Sequence, residues 1–442
     1  MGLKSFYIDF QNIGKQEFLR IDVNYRYFFD IQNAIVYDFD NLIELKYVLK
    51  ELPIKKVSKG DLENEEYLID IGNIERRFNN LINLEKVTEV GSDKNILQDG
   101  DIVIPKMQPQ MGNIFLNKEH KRFLGSTELL EYSISEKYNH LFVYYLITSN
   151  KFLSDLAKLE SGKTHRRVNP IDLLKIKIPL IPKEKQDQIV AQIEPIEQRI
   201  KELKAALKDP QLIINEVFAR EFGFDLEKFE ELKKQKFFEV EFAVIDKTSD
   251  LKFSVSTSLS NKINFQIPNV KYFKIKNIAK KIFAGGDMPK DFSYEKDQEY
   301  KYPIFSNGKE NLGLVGYCKN PRVKEMATTV SARGTIGFAV ARSEPYFPIV
   351  RLISIIPNEN IILNEYLANV INFIDIEKSG NTIAQLTTPM VENIKIPVPE
   401  KKIQQRIVDE IKAELDKQEE IKKQIEEERN KIDQIIEQAV LD

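Results

Sequence analysis

Apolar positions along this chain switch from one spacing to another, and the switch occurs twice in the same form. Over 176–182 the order is IKIPLIP, a short alternation that stops at prolines, where a strand ladder loses its backbone donor. Directly afterwards Ile189, Ile193, Ile196, Ile200, Leu203 and Leu207 recur four and three residues apart within polar sequence. Those are the a and d positions of a heptad, and they predict a helix that packs on another helix. Over 394–399 the order is IKIPVP, followed by Ile403, Ile407, Ile411 and Leu415, with Ile421, Ile425, Ile432 and Ile436 continuing the stripe. This second helix is expected over about 400–438, on the order of 55–60 Å at 1.5 Å per residue. It is rich in Glu and Lys and free of Gly and Pro from Lys401 onward, which suits a protruding coiled coil.

The two junctions belong to a longer repeat. SGKTHRRVNPIDLLKIKIPLIPKEKQDQIV starts at Ser161, and SGNTIAQLTTPMVENIKIPVPEKKIQQRIV starts at Ser379. Gly162 aligns with Gly380, Ile176–Pro179 with Ile394–Pro397, and Ile189-Val190 with Ile407-Val408, without a gap. A repeat this long is a duplicated domain with its connector, not a solenoid. The expected divisions are a lead-in over 1–18, a mixed α/β domain over 19–182, and a helix with connector over 183–240. A second α/β domain follows over 241–399, and the long helix over 400–442.

Within the first domain LRIDVNYRYF opens the fold. Tyr67–Ile74 and Asp101–Met107 read as strands, the second fed by a turn at Leu97-Gln98-Asp99-Gly100. Tyr138–Leu159 is apolar at helical spacing and stops at Ser161-Gly162. Asp209-Pro210 breaks the first heptad helix, and the following IINEVFAREFGFDLEKFEELKKQKF predicts two short amphipathic helices around Gly223. Leu251–Ser256 in the second domain holds the place of LRIDVN in the first.

Composition changes this picture little. The chain has 442 residues, 42% hydrophobic and 30% charged, with a formal net charge of −3. No apolar run approaches a membrane span and the start lacks the apolar region of a signal peptide, so a cytoplasmic location is expected. One cysteine and three histidines exclude an internal disulfide framework and a cysteine–histidine zinc site. Charge is uneven: 240–397 holds 20 Lys and Arg against 16 Asp and Glu, whereas 400–442 holds 9 against 13. That distribution is compatible with DNA contact at one place and protein contact at another.

Catalytic chemistry is hard to place. Ala284–Asp287 and Arg333–Gly337 lack a phosphate-loop pattern and suit tight turns. There is no Asn/Asp-Pro-Pro-aromatic motif for holding a flipped base. His120, His140 and His165 have no nucleophile elbow beside them, and Cys318 reads as a strand-end thiol.

The order of variable domain, proline-stopped strand and long helix, given twice, resembles the specificity subunit of type I restriction–modification systems. SARGTIGFAV with FSNG upstream is similar to the second target-recognition domain of that family, and GDIVIPKMQPQMGNIF to the first. One departure is Ala327-Thr328-Thr329, which stands where a Gly-Asp pair is expected. The resemblance implies two similar target-recognition domains, each reading half of a bipartite double-stranded DNA site, separated by two antiparallel coiled-coil helices. It implies no catalysis and no cofactor in this chain. Methyltransferase subunits would bring S-adenosylmethionine, and a restriction subunit would be a further partner.

Arg reads guanine and Asn or Gln reads adenine in the major groove, so DNA contacts are expected from basic and amide groups on turns. In the first domain these are Lys106, Gln108, Gln110 and Asn113 as a base-reading loop, and Lys163, His165, Arg166 and Arg167 as phosphate contacts or a solvated loop. In the second domain they are Ser306, Asn307, Lys309, Ser331, Arg333, Thr335 and Gln385, with a simple hairpin turn as the alternative at Asn307-Gly308. A coiled-coil scaffold that joins proteins without reading DNA is the competing reading of the whole chain.

Overall fold

The computed structural model describes residues 22–37, 41–58, 60, 62, 64–162, 165–227, 270–374 and 385–441. The expected lead-in, Lys163, the second connector helix beyond Glu227, and Leu251–Ser256 lie outside them. Two compact units emerge: residues 1–205 with 422–442, and residues 206–421.

The first unit contains β1 (Leu42–Glu44), β2 (Leu49–Glu51), β3 (Lys55–Val57), β4 (Glu66–Ile69), β5 (Glu85–Val87) and β6 (Lys94–Leu97). There follow β7 (Ile102–Pro105), β8 (Phe115–Leu116), β9 (Phe123–Gly125) and β10 (Leu129–Ile134), then α1 (His140–Ile147), α2 (Asn150–Leu156), β11 (Lys177–Pro179) and α3 (Lys183–Ala205). The second unit contains α4 (Pro210–Phe222), β12 (Lys271–Lys274), β13 (Ala279–Ala284), β14 (Tyr302–Phe305), β15 (Leu314–Cys318), β16 (Ala327–Val330), β17 (Ala339–Arg342), β18 (Phe347–Pro348), β19 (Ile353–Pro357), α5 (Asn364–Ile374) and β20 (Lys395–Val398). The 41-residue α6 (Lys401–Leu441) gives its first turns to the second unit and its last to the first.

The sheets repeat the duplication. A four-stranded sheet runs β2-β10-β7-β8 in the first unit and β13-β19-β16-β17 in the second. The proline-stopped strand of each junction pairs antiparallel with the strand that opens its own unit, Ile178 opposite Ile43 and Ile396 opposite Phe273. The side sheets differ: five strands, β3-β6-β9-β4-β5, against three, β15-β14-β18. Central strands β7 and β16 are buried at all four positions, as continuous apolar or small runs require. Ala327-Thr328-Thr329 is therefore strand, with Thr328 and Thr329 buried and hydrogen bonded through their hydroxyls.

Several local expectations are corrected. Tyr138–Leu159 is not one helix: Ser149 caps a second start, its hydroxyl accepting from Phe152 N–H, so the run divides at Thr148-Ser149. The strand at Tyr67 stops at Ile69, because Asp70 and Asn73 close a capping box around a 3-10 turn. The first heptad helix ends at Ala205, short of Leu207, and carries Pro195 in its interior. Asp209-Pro210 both ends one helix and opens the next: Asp209 accepts from Gln211 and Leu212 N–H, and Pro210 fills the first helical position. Gly223 closes α4 at φ 68, a left-handed cap suited to glycine.

Among the packing positions, Ile189, Ile193, Ile200 and Leu203 are buried, while Ile196 is half-buried. Ile407 and Ile411 lie inside the apolar core of the second unit with Phe218, Leu367 and Val391, and Leu415 packs at its edge. They thus join a globular core rather than a separate seam. The acidic long helix does not form a unit of its own, since Ile425, Ile432 and Ile436 are buried in its other half. Cys318 ends β15, buried, with its thiol donating to Asn320 O at 3.2 Å.

Candidate nucleic-acid interface

In each unit a loop leaves the end of a buried central strand and meets the segment that precedes the junction. In the first unit β7 continues into Lys106, Gln108 and Gln110. Val168 N–H donates to Lys106 O and Gln108 N–H to Arg166 O, at 2.9 and 3.1 Å. The first two candidate groups, distant in sequence, thereby form one face. Gln108 is exposed and left-handed at φ 48, a conformation uncommon for glutamine. His165 is exposed, and Arg166 is exposed with its guanidinium 3.6 Å from Glu160. Arg167 donates through Nε and Nη2 to both oxygens of Glu128, at 2.9 and 3.0 Å. This fork holds the Glu128 carboxyl below its ordinary range.

Two of these expectations change. Asn113 is 7% exposed, and its amide donates to Ile74 O at 2.6 Å, so it braces a neighbouring turn instead of facing solvent. Gln110 keeps its amide oxygen covered and without a partner among the described residues. A loop built for shape has taken over residues whose type suggested base reading.

The second unit builds the corresponding face from β14, β16 and the segment before Leu386. Leu386 N–H donates to Ala332 O at 2.9 Å, and Val168 and Leu386 hold the same place in the repeat. Asn307 ties the face together, its Oδ1 accepting from Ala332 N–H at 2.7 Å and its Nδ2 donating to Val350 O at 2.8 Å. It is a brace as well as a turn residue. Ser331 is buried, and Gly308 N–H points to its hydroxyl at 3.4 Å. Ser306 is half-buried, with its N–H donating to Gly313 O. The Thr335 hydroxyl is covered and without a partner among the described residues. Lys309 is exposed, its ammonium 5.7 Å from the centre of the Phe338 ring.

The chemistry of this face lies in three groups. Arg333 donates to Gln385 Oε1 at 2.8 Å through Nη2, and Arg351 donates to the same oxygen at 3.2 Å through Nη1. Arg351 was not legible as a site residue. Its only signal is geometric: Val350 and Arg351 are both left-handed, at φ 50 and 61, which costs energy for non-glycine residues. No carboxylate among the described residues pairs with either arginine. Two uncompensated, exposed guanidiniums on one amide suit phosphate or guanine, both of which take an arginine fork.

Described residues hold no group of three or more His, Cys, Asp or Glu that could bind a metal ion. His120 and His140 each lie 3.7 Å from Asp101, a pair of contacts rather than a ligand set.

Twin α/β units, each with a polar loop face at the end of its central strand, make this a duplicated recognition protein. A profile of the type I restriction modification DNA specificity domain matches the chain twice, over residues 47–209 and 268–430. The chain belongs to that family. A protein of Mycoplasma pneumoniae carrying the name of a type I specificity subunit is 41% identical over 152 residues, covering 34% of this chain and 42% of the relative. Another from the same organism is 40% identical over 149 residues, 34% of this chain and 44% of its own length. The aligned stretch thus spans less than half of these relatives. A protein of Haemophilus influenzae carrying the name of a type I restriction enzyme specificity subunit is 25% identical over 282 residues, 62% of this chain and 63% of the relative. The crystal structure of the S subunit of a type I restriction–modification system from M. genitalium covers 91% of this chain and 96% of its own, at 14% identity and a TM-score of 0.43.

Proposed function

We propose that this chain is the DNA specificity subunit of a type I restriction–modification complex and performs no chemistry itself. The observation that carries the reading is the duplicated family match, laid over two units whose strand ends present corresponding loop faces. Each unit reads one half of a bipartite double-stranded target. Gln108, His165 and Arg166 serve the first half, and Lys309, Arg333, Arg351 and Gln385 the second, with Arg167 held back by Glu128. The two long helices set the spacing between half-sites, at 1.5 Å of helix against 3.4 Å of duplex per step. They also dock methyltransferase subunits, which bring S-adenosylmethionine and methylate adenine in the cytoplasm, and a restriction subunit completes the assembly. No helix among the described residues is long and apolar enough to cross a membrane.

The test is a genome-wide map of N6-methyladenine in cells carrying the chain with its methyltransferase subunits. A bipartite methylated motif that disappears when the chain is deleted is the expected result. Methylation by the isolated chain, or a motif that persists without it, overturns the reading. Binding that does not weaken as salt rises favours the protein scaffold instead, because phosphate neutralisation releases counterions.

A further inference from the structure

Each heptad device of the repeat ends in the other unit. α4 lies in the second unit and the last turns of α6 in the first, and the repeat register pairs Gln211 with Arg429 and Asn215 with Asp433. Both pairs are internal to their helix and do the same job. Gln211 donates to Asn215 Oδ1 at 3.0 Å and to Asn372 O, near the end of α5, at 2.9 Å. Arg429 donates to Asp433 Oδ1 at 3.2 Å and to Thr148 O, at the end of α1, at 3.1 Å. A neutral amide pair therefore suffices to seat a helix tail on this framework. Arg429 is 1% exposed and Asp433 5%, and burial works against the charge of the guanidinium. Desolvation makes a buried ion pair no more stabilising than a neutral substitute of similar volume. Seating alone gives no reason for charge here.

The difference lies in what the charged pair reaches. Asp433 Oδ2 takes the Arg77 guanidinium at 2.5 Å, and Arg77 O accepts from Arg429 Nε at 3.0 Å. Arg77 is held left-handed at φ 61, and its N–H donates to Gly112 O at 2.7 Å. Gly112 closes the Gln108–Met111 turn at φ 77, and a Cβ there would lie 2.6 Å from Arg77 Cγ. One residue on, Asn113 is tied to Ile74 O in the same turn-bearing segment as Arg77. An unbroken series of contacts thus links the buried carboxylate of α6 to the loop carrying Gln108. In the second unit the corresponding loop is held by Asn307, which follows β14 of the neighbouring three-stranded sheet.

We propose that Asp433 and Arg429 position the recognition loop of the first unit through Arg77, so that the tail of α6 sets base discrimination at the first half-site. The inference rests on the specificity reading above. The test is the double variant R429Q/D433N in the full chain, which installs the amide solution the second unit already uses. With methyltransferase subunits present, DNA randomised at both half-sites is selected by the complex and sequenced, and thermal melting is recorded alongside. Discrimination at the first half is expected to fall roughly three- to tenfold while the second half is unchanged. Gly112→Ala, which breaks the link from the loop side, should give the same one-sided loss. Equal loss at both halves, no loss at either, or a Gly112→Ala chain that reads the first half normally overturns the positioning role. A wild-type complex with no bipartite preference overturns the specificity reading and this inference with it.

Discussion

The two loop faces share a backbone frame and oppose each other in chemistry. Arg167 and Gln385 hold the same place in the repeat, each one residue before a backbone donor to the central-strand loop. In the first unit that place is a guanidinium locked by Glu128; in the second it is an amide receiving Arg333 and Arg351. Glu128 and Arg351 stand in turn just before the strands β10 and β19 that flank the central strand. At the centre of one face the arginine is paired with a carboxylate, whereas the other carries two arginines with no carboxylate partner among the described residues. A duplicated frame can thus present different surfaces, because strand pairing fixes where a loop begins and the side chains decide what it offers.

The largest effect is expected from removing a tail from its unit. Phe218 is 0% exposed and stacks on Phe373 at 4.6 Å, so Phe218→Ala should cost about 3–5 kcal/mol. Ile436, its counterpart in the repeat, is also 0% exposed, and Ile436→Ala should cost about 2–5 kcal/mol. Calorimetry of the full chain should show the former lowering the transition of residues 206–421, and the latter that of the other unit; a shift of the same transition by both contradicts the exchange of tails.

Next comes the basic centre of the second face. Arg351→Ala or Arg333→Ala should weaken recognition of the second half-site by about 1–3 kcal/mol if the arginine reads a base. If it contacts phosphate, affinity should fall for all sequences and the salt dependence should lose about one ion. Titrations at several salt concentrations separate these cases, and unaltered binding removes both residues from the interface.

The first face responds in the opposite sense. Glu128→Gln releases Arg167 and should raise general duplex affinity severalfold, with a steeper salt dependence. A fall in affinity would show that the fork, not the free arginine, presents the surface. Acid should achieve a weaker version of the same change. The Glu128 carboxyl lies below its ordinary range in the folded chain, so the fork is intact above the usual carboxylate range and is lost as pH falls through the depressed value. Duplex binding should therefore strengthen at that acidic end in the wild type and not in Glu128→Gln, a contrast readable by fluorescence anisotropy.

Legibility followed the range of the interactions. The duplicated strand–helix junction and the stripe of Ile407, Ile411, Ile425, Ile432 and Ile436 could be read directly, since periodic burial is written in residues three and four apart. Gln108 with Arg166, and Arg333 with Gln385, were chosen by residue type, and the fold brings each pair together. Residue type misleads at Asn113 for the same reason: an amide on a loop looks free until its acceptor, 39 residues away at Ile74, is known. The break at Ser149 was hidden because the apolar spacing runs through it while the cap is a single hydroxyl.

Two copies of one α/β unit, the proline-stopped strand that ends each and the heptad helix that follows are written in the order of residues. Those features depend on local backbone chemistry and short-range periodicity, which survive in one dimension. The folded chain sets the rest: α6 gives its last turns to the first unit, Asp433 meets Arg77 across 356 residues, and Glu128 silences Arg167 while Arg351 stands beside Gln385. Such pairings arise from packing between distant segments, where a charge is restrained or released by whichever group the fold sets within about 3 Å of it.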